Sequence, residues 1–185
     1  MRDVREGGLP YIIGTGGPEG KTAAPRTGRH MADLNEIYNS KLLEMAADIP
    51  HSQRLQDPDA TTTAHSKLCG STVAIDLDMQ GDKVTGYGQT VKACLLGQAA
   101  SAIVGAHIIG ARAGELRETA AAMRRMLKEN GAPPTGRFAE LAILEPVRHY
   151  KARHGSVMLV FDAIERAIDE IEGKRAGAAV DAASA

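Results

Sequence analysis

The chain contains two cysteines, Cys69 and Cys94, and the sequence between them predicts that their thiols lie close together. From residue 72 to 79 apolar side chains alternate with polar or small ones, which is typical of a strand with one apolar face. Gly81 stands in a polar turn, and residues 84 to 91, rich in Val, Thr and Tyr, predict the return strand. Because an antiparallel hairpin brings its two open ends together, we expect the two cysteines to be neighbours.

Thiols in this setting are suited to nucleophilic or metal chemistry. Cys94 is predicted at the N-terminus of the following helix, where the backbone dipole stabilises a thiolate, and Lys92 adds a nearby positive charge. Gly70, directly after Cys69, allows the backbone to approach a bound atom closely. The alternative is that both cysteines are small buried apolar residues, since free cysteine is among the most buried residue types. Both interpretations stay open at this point.

Among the six histidines, His154 is the best candidate for a third metal ligand. It opens the last predicted helix, and imidazole suits transition metals. His107 lies on an apolar helix, where we expect it to be a packed core residue. The run RHYKARH, residues 148 to 154, is locally basic. It is either a solvated helix start or a patch that meets an acidic partner or a negatively charged cluster.

Periodicity along the chain predicts an α+β domain, a three-stranded antiparallel sheet with helices packed on it. A helix is predicted from 34 to 47, and a Thr-rich strand from 60 to 67 precedes the hairpin. Four helices then follow in series, at 99 to 109, 113 to 130, 138 to 144 and 154 to 172.

Composition divides the chain into three parts and excludes some functions. Residues 1 to 30 are dense in Gly, Pro and charge, which predicts a disordered N-terminal extension. Residues 31 to 173 form the domain, and residues 174 to 185 are expected to be a flexible tail. A net charge of -1 gives no excess of positive charge for binding nucleic acid, and no stretch is apolar enough to span a membrane. Two cysteines in 185 residues do not make a disulfide framework, so we expect free thiols or metal ligands in the reducing cytoplasm.

The segments around the cysteines are similar to those of a known family. LCGSTVAIDL at Cys69 and KACLLGQAASAI at Cys94 resemble the U-type iron–sulfur cluster assembly scaffolds, which include IscU, SufU and the N-terminal domain of NifU. The first helix, ADLNEIYNSKLLEMAADIP, and the closing segment, EPVRHYKARHGSVMLVFDAIERAI, resemble theirs too. The resemblance covers residues 32 to 172 and implies the SufE/NifU-like α+β fold, which agrees with the pattern of predicted elements.

The resemblance implies a site of three cysteines and one aspartate, of which this chain keeps two positions. Cys69 and Cys94 match the first and second cysteines, and His154 matches the family's histidine. Ser71 stands in place of the aspartate, and Gly155 in place of the third cysteine. Because iron–sulfur clusters are usually held by four protein ligands, three consequences follow. Two chains share one cluster as a homodimer, or one chain holds a metal loosely, or the site binds no metal and the fold binds partners.

The function that the resemblance implies is that of a scaffold. It would bind iron and a [2Fe–2S] cluster, receive sulfur from a cysteine desulfurase and pass the cluster to apo-proteins, without turning over a small substrate. One alternative is a zinc-bound or metal-free sulfur-relay protein, which accepts persulfide and has sulfurtransferase activity. The other is a degenerate scaffold that acts as a partner-binding module.

Overall fold

A computed structural model describes residues 40–183 of the chain. The predictions for residues 1 to 30, and for the beginning of the first helix, lie outside the described residues. The elements in chain order are α1 (Ser40–Ala47), β1 (Ala60–His65), β2 (Thr72–Gln80), β3 (Lys83–Lys92), α2 (Leu95–His107), α3 (Ala113–Glu129), a 3-10 segment (Gly136–His149) and α4 (Lys151–Ala183). None of the described helices has the length and apolar composition needed to cross a membrane.

The three strands form one antiparallel sheet in the order β1-β2-β3. Thr72 at the start of β2 pairs with Lys92 at the end of β3, so the open end of the hairpin closes as predicted. The tight turn between β2 and β3 contains Gly81, whose φ of 61° is the left-handed conformation that glycine adopts without strain. The predicted α+β fold, with helices packed on a three-stranded antiparallel sheet, is therefore confirmed.

One face of β2 packs against the helices. The alternating residues Val73, Ile75 and Leu77 are fully buried, and α4 packs across β1 and β2 while it also contacts α2 and α3. Ile164 and Ile168 on α4 are buried in the same core. The period-two pattern of the strand therefore identifies the core face correctly.

The other face of β2 is covered too, which the alternating pattern did not predict. The Asp76 side chain is fully buried under the loop of residues 50–58. It accepts hydrogen bonds from Arg54 (2.5 and 2.6 Å), from the Thr61 hydroxyl (2.6 Å) and from the Leu55 N–H (3.0 Å). Burial raises the pKa of Asp76, but these donors outweigh it and hold the pKa below its usual value. The loop fits closely because a Cβ on Gly88, which pairs with Asp76, would lie 2.5 Å from a loop carbonyl oxygen.

The C-terminal helices differ from the prediction in their bounds. The predicted helix from 138 to 144 is a longer 3-10 segment, with non-helical backbone at Phe138 and Pro146 inside it. The last helix begins three residues before His154 and does not end at Glu172, because it continues to Ala183. Lys174 donates to the Asp59 carbonyl (2.8 Å) and Arg175 to two carbonyls at the β2–β3 turn, which fixes the helix beyond Gly173. The flexibility of residues 174 to 185 stays a prediction.

Candidate functional site

Cys69 is presented by a tight loop between β1 and β2. The Ser66 N–H donates to the Ser71 carbonyl and the Gly70 N–H donates to the Ser66 carbonyl, both at 2.9 Å. Gly70 has a φ of 69°, a conformation that side chains rarely adopt, and it lets the loop close directly after the cysteine. As a result, the Cys69 thiol is exposed at the surface.

Cys94 is the residue that precedes α2, as the sequence predicts. Its backbone is extended, and its carbonyl accepts the first helical hydrogen bond from the Gln98 N–H at 3.0 Å. The thiol is partly buried and makes no capping bond to its own helix. Instead, Cys94 Sγ lies 3.0 Å from the hydroxyl oxygen of Ser156 on α4.

Ser156 connects the two cysteines. Its side chain is almost fully buried, and its hydroxyl interacts with the thiol of Cys69 as well as with that of Cys94. The close approach of α2 and α4 at this point depends on Gly97, where a Cβ would lie 2.7 Å from the Ser156 hydroxyl oxygen. The fold therefore brings both thiols to one patch, as the hairpin predicts. We call Cys69, Cys94 and Ser156 the thiol patch.

The electrostatics of the patch favour the thiolate of Cys69. The Cys69 thiol donates to the hydroxyl oxygens of Ser66 (3.3 Å) and Ser71 (3.1 Å), and both hydroxyls can turn to donate to the thiolate. These hydrogen bonds, that of Ser66 first, lower the pKa of Cys69 to about 7, and burial opposes them. The Ser71 N–H and the Ser156 hydroxyl act in the same direction. Since the thiolate is the nucleophile and the metal ligand, this cysteine is poised for both near neutral pH. The sequence placed the activating features around Cys94, whereas the lowered pKa that the structure gives belongs to Cys69.

The two positions where this chain departs from the U-type pattern lie beside the patch. The Ser71 hydroxyl oxygen accepts a hydrogen bond from the Cys69 thiol, and Ser71 offers no carboxylate. Gly155 is exposed on the first turns of α4, and a Cβ built on it meets only the Ser66 hydroxyl oxygen, at 3.4 Å. Lys92 is exposed at the end of β3, two residues before Cys94.

His154 is not brought into a ligand group with the two cysteines. Its ring is buried, and its Nε2–H donates to the carbonyls of Val147 (3.1 Å) and Arg148 (3.2 Å). Within residues 40–183, no three or more His, Cys, Asp or Glu side chains form a group that could hold a metal ion. His107, expected in the core, is instead about one-third exposed and contacts Glu140 at 3.2 Å.

Sequence reasoning did not assign a role to the serine hydroxyls. Ser66, Ser71 and Ser156 all have buried side chains and all contact a thiol. The signal for two of them was partly present, because Ser66 and Ser71 lie within three residues of Cys69 in the sequence, although residue 66 was predicted in the strand from 60 to 67 and the structure ends β1 at His65. Ser156 is 62 residues from Cys94, so its contact follows only from the packing of α4 on α2.

A solved structure described as a nitrogen-fixing NifU-like protein (N-terminal) from Brucella abortus is 51% identical to this chain, with a TM-score of 0.76. The similarity covers 77% of this chain and 99% of that chain. This chain belongs to the NifU-like family of U-type scaffolds. The family assignment, and the fold that the sequence resemblance implies, are thereby confirmed.

Two more distant structures share the fold of this NifU-like chain. One, from Fervidobacterium islandicum AW-1, is described as an iron–sulfur cluster assembly scaffold protein for the SUF system (17% identity, TM-score 0.66, covering 72% of this chain and 97% of that chain). The other is described as a hypothetical protein (19% identity, TM-score 0.66, covering 74% and 99%). No protein-family model and no curated protein sequence matches the chain.

Proposed function

We propose that this NifU-like protein is an iron–sulfur cluster assembly scaffold, on which Cys69 and Cys94 bind iron and a [2Fe–2S] cluster as cargo. The observation that supports it is that separate elements bring the two thiols to one patch, where Cys94 Sγ lies 3.0 Å from the Ser156 hydroxyl and neighbouring hydroxyls lower the pKa of Cys69 to about 7. Soft thiolates are the ligands that hold such clusters. A cysteine desulfurase would supply the sulfur and apo iron–sulfur proteins would accept the cluster, in the cytoplasm.

The donor set of one chain is half of what such a cluster usually needs. Cys69 and Cys94 provide two thiolates, while Ser71 and Gly155 provide neither a carboxylate nor a third thiolate. Because clusters usually have four protein ligands, the arrangement that fits is a homodimer in which each chain gives two cysteines. The exposure of Cys69 makes its thiol accessible to a second chain.

Anaerobic reconstitution with ferrous iron, cysteine and a cysteine desulfurase tests the ligand assignment. We expect the wild-type chain to acquire iron and acid-labile sulfide, and Cys69→Ser and Cys94→Ser each to lose most of both. His154→Gln serves as the matched variant, because its ring faces the carbonyls of the 3-10 segment. It should load as the wild type does. Loading that survives both cysteine substitutions would contradict the assignment.

A second function, acceptance of sulfur as a persulfide, is favoured by the exposure of Cys69 and its pKa of about 7. Its thiolate would attack the terminal sulfur of a desulfurase persulfide, so that a new S–S bond forms on Cys69 and the desulfurase thiolate leaves. Mass spectrometry without reductant should then show an added ~32 Da on Cys69. The adduct should persist in Cys94→Ser and disappear in Cys69→Ser. An adduct that forms only on Cys94 would contradict this function for Cys69.

Zinc is the alternative metal for a sulfur-relay protein. A closed zinc site needs four ligands, and one chain again supplies two thiolates. Metal analysis of the protein purified without added iron shows which of the two metals, iron or zinc, the protein binds. Zinc without sulfide would favour the relay, whereas iron with equal sulfide would favour the scaffold.

A further inference from the structure

A second site is indicated by a cavity of about 730 Å³ between the end of α3 and the beginning of α4. Its polar lining residues are Lys128, Asn130, Arg148, His149, Lys151 and His154. No acidic side chain of the described residues lines it. We call it the basic cavity. It shares no lining residue with the thiol patch, although both use the first turns of α4.

The positive charge of the basic cavity is largely unpaired. Arg148 is bonded to Glu145, which neutralises it. Lys128, His149 and Lys151 are exposed, and none of them has an ion pair among residues 40–183. Two ammonium groups from different elements therefore face one concave space without a compensating carboxylate.

The position of Lys151 is electrostatically unfavourable in the protein alone. It begins α4, a helix of 33 residues whose first turn has no acidic residue, and Arg153 follows two positions later. Positive side chains at a helix N-terminus oppose the helix dipole, whereas an anion there is stabilised by it. Lys128, in the last turn of α3, is at the favourable end of its own helix. An anion in the cavity would offset the unfavourable interaction between the Lys151 ammonium group and the positive end of the α4 dipole.

The side chains that line the cavity offer more hydrogen-bond donors than acceptors. The buried His154 ring donates Nε2–H to the carbonyls of Val147 and Arg148, so both oxygens already have a partner. The side chains of Lys128, Lys151 and Asn130 then remain to meet a ligand. A volume of this size is in the range of sites for small molecules.

We propose that the basic cavity binds a small multivalent anion with at least two phosphate or carboxylate groups. Two groups are required because the unpaired cations come from two separate elements, Lys128 from α3 and Lys151 from α4. The proposal does not depend on cluster binding, since none of its residues belongs to the thiol patch.

Titration of the ¹⁵N-labelled full chain with pyrophosphate and with citrate, followed by amide chemical shifts, tests this proposal. We expect saturable shifts at Lys128, His149 and Lys151 in a low-salt buffer free of both anions. The double variant Lys128→Ala/Lys151→Ala should bind at least about tenfold more weakly, because two charge-assisted contacts are lost. The relative affinities for pyrophosphate and citrate then distinguish a phosphate ligand from a carboxylate ligand.

The matched control is Lys67→Ala/Lys92→Ala, which removes the same net charge from exposed lysines near the thiol patch. It should change the affinity by less than about twofold, since screening weakens distant exposed charges. Equal weakening in both double variants would overturn the proposal, and so would shifts confined to the thiol patch or the absence of saturation. Orthophosphate that binds as tightly as pyrophosphate would overturn the requirement for two anionic groups.

Discussion

At Cys69, reactivity arises from hydroxyl groups that its own loop supplies. The loop from Ser66 to Ser71 closes on Gly70, and this closure places the hydroxyls at its two ends within 3.3 Å and 3.1 Å of the thiol. Each hydroxyl stabilises the negative charge of a thiolate more than the neutral thiol, so the pKa falls. The activating groups are therefore local, and a helix dipole is not needed for them.

Replacing these hydroxyls should raise the pKa of Cys69. In a Cys94→Ser background, the rate of alkylation by iodoacetamide should rise with pH around a midpoint of about 7. Ser66→Ala should move the midpoint furthest toward the ordinary thiol value, because Ser66 has the largest effect, and Ser71→Ala should move it less. Ser52→Ala, at an exposed position outside the patch, is the control. A midpoint that does not change in Ser66→Ala would show that the loop hydroxyls do not set the reactivity.

Gly155 is the position at which a third thiolate can be restored with little strain. A Cβ there makes one ordinary contact, with the Ser66 hydroxyl oxygen at 3.4 Å. Replacing a helical glycine by alanine favours the helix by roughly 0.5–1 kcal/mol, and cysteine favours it by less. We expect Gly155→Cys/Ser71→Asp to fold stably, to bind metal more tightly, and to shift cluster loading from one per two chains toward one per chain.

Iron and sulfide analysis together with size-exclusion chromatography measures that shift. Gly155→Ala/Ser71→Asp also removes the helical glycine but adds no thiolate, and it should keep the wild-type stoichiometry. If the cysteine variant also kept it, the thiolate at 155 would not reach the cluster.

At the scale of single residues, the sequence predicts some features of the candidate site and not others. The motifs identify the two cysteines, and they show that Gly155 stands where the U-type pattern has its third cysteine. The Ser156 contact joins residues 62 apart, and the ring of His154 turns toward the 3-10 segment because two carbonyls lie there. Both depend on tertiary packing, which residue type and spacing do not encode.

Among the elements, the loop of residues 50–58 has an unexpected role. Through Arg54 and Leu55 it covers Asp76, so the sheet face that alternation predicts as polar is buried around an ion pair. A hydrogen bond from the Gln89 N–H to the His51 carbonyl (2.8 Å) fixes the loop to β3 as well. This loop covers one face of β2 and the helices cover the other. Strand β2 directly follows the loop that carries Cys69.

Removing Arg54 should destabilise the fold more than its exposed position suggests. Arg54→Ala leaves the buried Asp76 carboxylate without its cation, and breaking such a pair costs about 3 kcal/mol. Urea unfolding at pH 7 measures this cost. Arg125→Ala, at an exposed arginine with no ion pair among the described residues, should cost less than about 0.5 kcal/mol. Equal stability of the two variants would contradict the role of the pair.

The same variant should change the pH dependence of stability. In the wild type the pKa of Asp76 is lowered, so its contribution is present above the unfolded value of about 3.9 and is lost as pH falls through the folded value. Without Arg54, its hydrogen bond and its charge no longer oppose the effect of burial, so the pKa of Asp76 rises above that in the wild type. Stability relative to the wild type should then recover as the pH falls from 7 toward 4, because a protonated carboxyl is less costly to bury. A constant difference between pH 4 and pH 7 would contradict this.

Local sequence patterns were sufficient to predict the bounds of some helices and strands and not of others. The hairpin follows from alternation and from Gly81, and α3, predicted from 113 to 130, ends one residue earlier. Helix α2 begins at Leu95, four residues before the predicted start at 99. The continuation of α4 past Gly173 is supported by bonds from Lys174 and Arg175 to the loop before β1 and to the β2–β3 turn, about a hundred residues away. A local pattern of Gly and Ala could not predict that support.

Considering the whole molecule, the thiol patch lies at the end of the sheet where the β1–β2 loop, the start of α2 and the start of α4 meet. This arrangement exposes Cys69 and leaves Cys94 partly buried beside it, so the two proposed cluster ligands lie at or near the surface. A second copy can complete the set around a two-fold axis, since most homodimers are symmetric. Cluster binding and dimer formation should therefore be coupled in this protein.

The most direct measurement is the mass and composition of the full-length protein after anaerobic reconstitution, by light scattering with iron and sulfide analysis. We expect about one iron and one sulfide per chain, present only in a dimer, since one [2Fe–2S] cluster is held by four cysteines from two chains. The protein without cluster, and the Cys69→Ser/Cys94→Ser variant, should not show this cluster-dependent dimer. Iron and sulfide retained by a monomer of the wild type, or by the double variant, would contradict a cluster shared through Cys69 and Cys94.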